Sequence, residues 1–169
     1  PTSPSAAPAA ILPKSRIAAP TEPPPGPPKP IYEATPIKIT PLSCDVNNPS
    51  VDFDEPAFHD DYADGAAYKT DDLWYESCVG SIRQRAQAFI GTGPATQPTP
   101  LACASAAKTQ PIGKLDVRHI KVGDALCIVT NNRQIAWAKV VRFGEPFHET
   151  LTDGRIPSIE LVVTLWPAL

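Results

Sequence analysis

No stretch of this sequence approaches the ~20 consecutive apolar residues that cross a bilayer as a helix; the nearest candidate, AAPAAILP at 6 to 13, is short and broken by proline. A basic cluster is missing as well. With a net charge of −3 and no Lys/Arg face to release counterions, neither nucleic acid nor an anionic membrane surface is an expected partner. There is no C-x-x-C pair, no histidine at ligand spacing from a cysteine, no H-E-x-x-H and no G-x-S-x-G elbow. These absences exclude the common signatures of zinc sites, dithiol redox chemistry, zinc proteases and serine hydrolases. The G-x-G at Gly91 and Gly93 lacks a third glycine and a strand-to-helix setting, so it is no dinucleotide fingerprint. His59, His119 and His148 stand apart from any serine or cysteine partner and read as surface or capping residues.

Proline is abundant but unevenly placed. Of 22 prolines, 12 fall in residues 1 to 36, where TEPPPGPPKP (21 to 30) can join neither a helix nor a ladder and favours polyproline II. Residues 1–36 therefore read as a disordered, proline-rich spacer, and residues 37–169 as one folded domain of ordinary size. A proline-rich ligand for an SH3-like groove is the sharper reading of the same segment. The spacer carries +1 and the remainder −4. A chain that begins at Pro1 reads as a processed portion of something longer, with any secretion signal or anchor lying upstream.

The four cysteines, Cys44, Cys78, Cys103 and Cys127, are separated by 34, 25 and 24 residues. An even count at wide spacing suits two disulfides in an oxidising compartment, with three possible connectivities. The favoured pairing is Cys44 with Cys78 and Cys103 with Cys127; four buried thiols in a cytosolic protein is the alternative.

After the spacer the pattern turns to β. IKIT (37 to 40), VDF (51 to 53) and GKLDVRHI (113 to 120) alternate, DLWYES (72 to 77) is aromatic-rich, and ALCIVT (125 to 130), QIAWAKVV (134 to 141) and SIELVVTLW (158 to 166) are the most apolar runs. Short strands with Gly, Asn, Asp and Pro between them predict an all-β fold, an antiparallel β-sandwich of jelly-roll or immunoglobulin-like type. Asn131 and Asn132 suit a tight primed turn, which makes residues 127 to 141 a hairpin. Its second strand has no clearly polar face, so both faces are expected to be covered, in preference to Trp137 forming a ligand platform. GTGPATQPTP (91 to 100) reads as a loop, and LACASAAK (101 to 108) as a helical turn.

Ten carboxylates lie between Asp45 and Glu76, opposed only by Lys69. Asp60, Asp64, Gly65 and Asp71 fall at positions 1, 5, 6 and 12 of a calcium-type loop, so Asp60, Asp64 and Asp71 are candidate Ca2+ ligands; a solvated acidic loop is the plainer reading. Asp52 and Asp54 project from one strand face, as a hydrolase pair would, with Asp60 nearby in sequence. Few aromatics are present to line a sugar cleft. Trp74 and Tyr75, beside the acidic stretch, are the candidate ligand-contact residues.

VDFDEP (51 to 56), DLWYES (72 to 77), Cys103, IGKLDVRHIKVGDALCIVTNNRQIAWAKVV (112 to 141) and LVVTLW (161 to 166) together resemble a bacterial extracytoplasmic β-domain of actinobacterial type. Such domains follow proline-rich linkers on secreted, lipid-anchored or receptor-kinase-like proteins. The resemblance covers residues ~37 to 166 and implies a β-sandwich, a Cys103–Cys127 disulfide and an extracytoplasmic address, and it brings no catalytic residues. Where that pattern has E-G-R or Q-G-R, this chain has Asn132-Arg133-Gln134 and so lacks the glycine. The expected function is a noncatalytic binding or sensor module at the cell surface, meeting a cell-wall glycan or a protein. A structural subunit of a surface complex, self-assembling through an uncovered SIELVVTLW edge, is one alternative, and a small secreted hydrolase using the acidic cluster is another.

Overall fold

The computed structural model describes residues 26–42, 48–59, 70–85, 87–147 and 156–169. Along the chain run β1 (Tyr32–Ile39), β2 (Ser50–Asp52), β3 (Ala57–His59), β4 (Leu73–Glu76), β5 (Ser81–Gln84), β6 (Phe89–Gly93), α1 (Pro100–Thr109), β7 (Lys114–Asp116), β8 (Ala125–Val129), β9 (Ile135–Phe147) and β10 (Ile156–Trp166). Alternation decides the faces: in β1, Ile37 and Ile39 are buried while Pro36 and Lys38 are exposed, and Ile37 and Ile39 pair with Leu161 and Ile159 of β10. Two five-stranded antiparallel sheets result. Sheet I has the order β1-β10-β9-β8-β6 and sheet II the order β3-β2-β4-β5-β7. Their inner faces meet in one core containing Val51, Leu73, Tyr75 and Ile82 from sheet II and Ile128, Val140, Leu161 and Val163 from sheet I, which is the sandwich expected from the sequence.

The first strand starts at Tyr32, so five residues placed in the spacer, Tyr32 to Pro36, belong to the sandwich. Three other expectations are corrected. Residues 113 to 120 are not one strand: β7 ends at Asp116, whose carboxylate accepts the Arg118 N–H at 2.9 Å and caps a 3-10 turn over Val117–His119. Gly91 to Gly93 belong to β6, pairing with β8, and are not loop. A Cβ on Gly91 would lie 2.5 Å from the Ala106 carbonyl oxygen, so glycine is what lets α1 rest against this strand. Finally, β10 is an interior strand between β1 and β9; the edges are β1, β6, β3 and β7, so SIELVVTLW is not an uncovered edge.

Helix α1 starts with Thr99 as N-cap, its hydroxyl accepting the Ala102 N–H, and with Pro100 in the first turn. Its buried side, Cys103, Ala104 and Ala107, packs on Cys127, Val129, Ile135, Trp137 and Trp166, which form the outer face of sheet I. The β8–β9 hairpin is therefore covered on both faces. Ile128 and Val140 face the sheets and Ile135 faces the helix, each buried and worth about 1.5–3 kcal/mol. Trp137 is no platform: it is buried, and its Nε1–H donates to the Pro94 carbonyl at 3.0 Å. A disulfide joins Cys103 to Cys127 across this contact. Cys78 is exposed after β4, and its expected partner Cys44 lies outside the described residues. Among the described residues no helix is long and apolar enough to cross a membrane.

The hairpin turn differs from the two-residue primed form. Thr130 O accepts the Arg133 N–H, the Thr130 N–H reaches Gln134 O at 2.9 Å, and the left-handed residue is Arg133, at φ +65°. That is the position where the resembled pattern carries glycine. A non-glycine residue in the left-handed region costs roughly 1–2 kcal/mol, part of which glycine returns as unfolded-chain entropy. Arg133→Gly is accordingly expected to raise stability by about 0.5–1 kcal/mol; a urea midpoint that stays put or falls refutes strain at this turn. Replacing Cys103 and Cys127 together by alanine is expected to cost roughly 3 kcal/mol in chemical denaturation, because the bond closes a loop spanning 24 residues of separation.

Candidate functional site

Of the expected acidic site, only Asp71 falls within the described residues. Asp60 and Asp64 lie outside the described residues. Asp71 is buried and committed to its neighbours: Ser50 Oγ donates to Oδ2, and His59 Nδ1 lies 2.9 Å from Oδ1. A different trio gathers where the end of β2, the start of β4 and the β8–β9 turn meet. Asp52, Asp54 and Asp72 place carboxylate oxygens within 4.8 Å of one another.

Each member of the trio takes hydrogen bonds from the protein itself. Asp72, fully buried, accepts the Phe53 N–H at 2.9 Å on one oxygen and the Asn131 N–H at 2.8 Å on the other. Asp52 Oδ1 accepts the Asp54 and Glu55 N–H groups, at 2.8 and 3.3 Å. Asp54 Oδ1 accepts from the Thr130 hydroxyl at 2.6 Å, while its Oδ2 is buried with no donor among the described residues. The carboxylates thus cross-link sheet II to the hairpin of sheet I. Burial pushes the Asp72 carboxyl up to about 7, against the two N–H groups that favour its charge and with Asp54 and Asp52 adding repulsion. The same causes raise Asp52, and burial beside the trio raises the Tyr32 phenol, whose hydroxyl donates to Phe53 O at 2.6 Å.

Of the two aromatics expected to touch a ligand, Tyr75 is fully buried, with its hydroxyl donating to Pro157 O at 2.9 Å. The reason is the pleat: Leu73 and Tyr75 point into the core, and Trp74 and Glu76 point out. Trp74 sits half-buried on the outer face of sheet II with the Arg85 guanidinium 4.9 Å from its ring centroid. Tyr75 is therefore a core residue, and the two do not form a joint surface.

A cavity of about 270 Å3 lies between the sheets at the end of β8 opposite the acidic corner. Leu126, Val140, Ile159 and Leu161 of sheet I and Ile82 and Leu115 of sheet II contribute to its wall. These are core side chains from five strands, and the space persists because Thr92, Gly93 and Ala95 bring nothing bulky to that end. The solvent-exposed members of the lining, Thr92, Ala95, His119 and Asp124, mark its mouth. The space is concave and apolar with a few polar groups at one side. None of its residues was singled out as a ligand contact from the sequence; His119 was noted as a surface or capping residue and Gly93 only as part of a G-x-G without a nucleotide context. The fold and cavity define a disulfide-linked, two-sheet β-sandwich with an internal apolar pocket. No protein-family model, curated protein or solved structure matches this chain.

The Asp72 environment sets a pH dependence with a definite sign. A carboxyl whose folded pKa of about 7 exceeds its ordinary value of 3.8 binds its proton more tightly when folded. Its stabilising contribution is complete below the ordinary value and is lost as pH rises through about 7. Glu76 has a burial penalty that Ser81, Lys114 and Arg83 outweigh, and Glu160 is held low by Arg142, so both titrate below that window. Unfolding free energy is expected to fall by a few kcal/mol between pH 5 and pH 8, and Asp72→Asn to flatten that slope. Equal slopes in wild type and variant, by urea titration at both pH values, would place the titrating group elsewhere.

Proposed function

We propose that this chain is a noncatalytic binding module of the extracytoplasmic type, whose binding site is the cavity between its sheets. The observation that carries the reading is the cavity itself. An interior normally packs to crystal-like density, and a space of about 270 Å3 lined by core residues leaves dispersion contacts unmade unless something fills it. The Cys103–Cys127 bond supports an oxidising compartment, and the sequence resemblance to actinobacterial extracytoplasmic domains points the same way. The proline-rich segment ahead of β1 suits a module held away from its anchor.

A noncatalytic role accords with the layout. Each carboxylate of the acidic trio accepts from backbone or hydroxyl donors that tie the strands together, at the opposite end of β8 from the cavity. A glycan, the other partner expected from the sequence, finds no Phe, Tyr or Trp ring to stack on among the described residues of the lining.

The module is expected to leave its host with a passenger. Native mass spectrometry of the chain recovered under nondenaturing conditions should show a noncovalent small molecule near 1:1, released chemically unchanged. Val140→Phe, which fills the cavity from β9, should abolish it. Bare protein mass in the wild type, unaffected by Val140→Phe, would count against a small-molecule binding role.

A further inference from the structure

We propose that the ligand is a single aliphatic chain bearing an oxygen-containing head, with the chain between the sheets and the head at the mouth against the His119 imidazole; this rests on the cavity being a binding site. The wall chemistry carries the first half. Ile82, Leu115, Leu126, Val140, Ile159 and Leu161 are all aliphatic, and among the described residues no Phe, Tyr or Trp ring lines the space. A sugar ring or nucleobase draws much of its binding from stacking on such rings, so these walls select methylene groups. Among the described residues, the buried part of the wall offers no charge and no side-chain donor to satisfy an inner polar group, and an unpaired polar group there would pay its full desolvation.

Size narrows the class further. A dry apolar cavity of about 150 Å3 holds a benzene ring, whereas drug-sized pockets start near 300 Å3. At about 270 Å3 this space takes more than one ring and less than a steroid-sized body, which fits a chain of medium length.

The mouth carries the second half. Thr92, His119 and Asp124 are the polar side chains of the lining, and all three are exposed. Asp124 already accepts the Lys121 N–H at 2.8 Å. His119, on the 3-10 turn, makes no hydrogen bond among the described residues, and its ring can donate to an oxygen acceptor or accept from a hydroxyl. An alkyl chain entering tail first therefore meets walls of its own chemistry and leaves its head beside the one polar ring with open capacity.

A free fatty acid and a chain of a membrane lipid share this chemistry. Isothermal titration of the full chain with decanoate, decanol, naphthalene-2-carboxylate and the N-acetylglucosamine trisaccharide separates the classes. The expected result is 1:1 binding of decanoate and decanol, with the aromatic acid and trisaccharide at least tenfold weaker. Val140→Phe, and Thr92→Trp at the exposed mouth should the core variant fail to fold, are expected to weaken decanoate at least tenfold. His119→Ala should weaken it several-fold at unchanged stoichiometry. Incubation with phosphatidylglycerol vesicles followed by gel filtration assigns the source: lipid carried with the protein indicates a membrane chain, and decanoate binding without it a free acid. Tighter binding of the aromatic acid or trisaccharide, lost in Val140→Phe, overturns the ligand class while leaving the binding module standing. No binding by any of the four, with Thr92→Trp and Val140→Phe indistinguishable from wild type, overturns the module as well.

Discussion

A single buried carboxylate holds the two sheets in register. Asp72 receives the Phe53 N–H from the loop after β2 on one oxygen and the Asn131 N–H from the β8–β9 turn on the other, so sheet II and sheet I share one acceptor. A buried donor left without an acceptor costs more than a hydrogen bond gains, so removing the Asp72 carboxylate is felt at both N–H groups. Asp54 repeats the link through the Thr130 hydroxyl, and Thr130 in turn accepts the Gln134 N–H inside the hairpin turn. The conformation of that turn, including the left-handed Arg133, follows from this anchoring. The corner is charged, so it fastens the sandwich best when a proton sits on Asp72.

From this corner β8 runs to the opposite end of the sandwich, and its two faces have different neighbours. Leu126 and Ile128 face sheet II, while Ala125, Cys127 and Val129 face α1. The helix can approach because Gly91 presents no Cβ to it, and the Cys103–Cys127 bond fixes the approach covalently. One end of the hairpin is thus tied by carboxylates and its outer face by a disulfide. The remaining end, at Ala125 and Val140, is where the sheets leave space between them. Rigid fastening elsewhere lets an underfilled region persist without collapse, and a preformed pocket binds without an ordering cost.

The acidic stretch that dominates the middle of the sequence has a structural part in the described residues. Asp52, Asp54, Asp71 and Asp72 all accept hydrogen bonds from named donors, and three of these four are buried. Charge density in a sequence is a poor guide to ligand chemistry for this reason: backbone N–H groups at strand ends need acceptors, and aspartate supplies two.

The chain's local patterns were enough to determine that it forms antiparallel strands and that residues 127 to 141 make a hairpin buried on both faces, because side-chain alternation and turn chemistry act within a few residues; cysteine spacing left three connectivities, and the packing of α1 on β8 decided for Cys103 with Cys127. Alternation in Leu73-Trp74-Tyr75-Glu76 also contained the burial of Tyr75, which aromatic content alone obscured. Which of the adjacent Asp71 and Asp72 would bridge the sheets was not legible, since it depends on where the β8–β9 turn arrives, 59 residues later. The cavity was less legible still. It is a space left by side chains of β5, β7, β8, β9 and β10, and no one of those strands reads differently in sequence for bordering a void. Only the packing of the two sheets decides where volume is left unfilled.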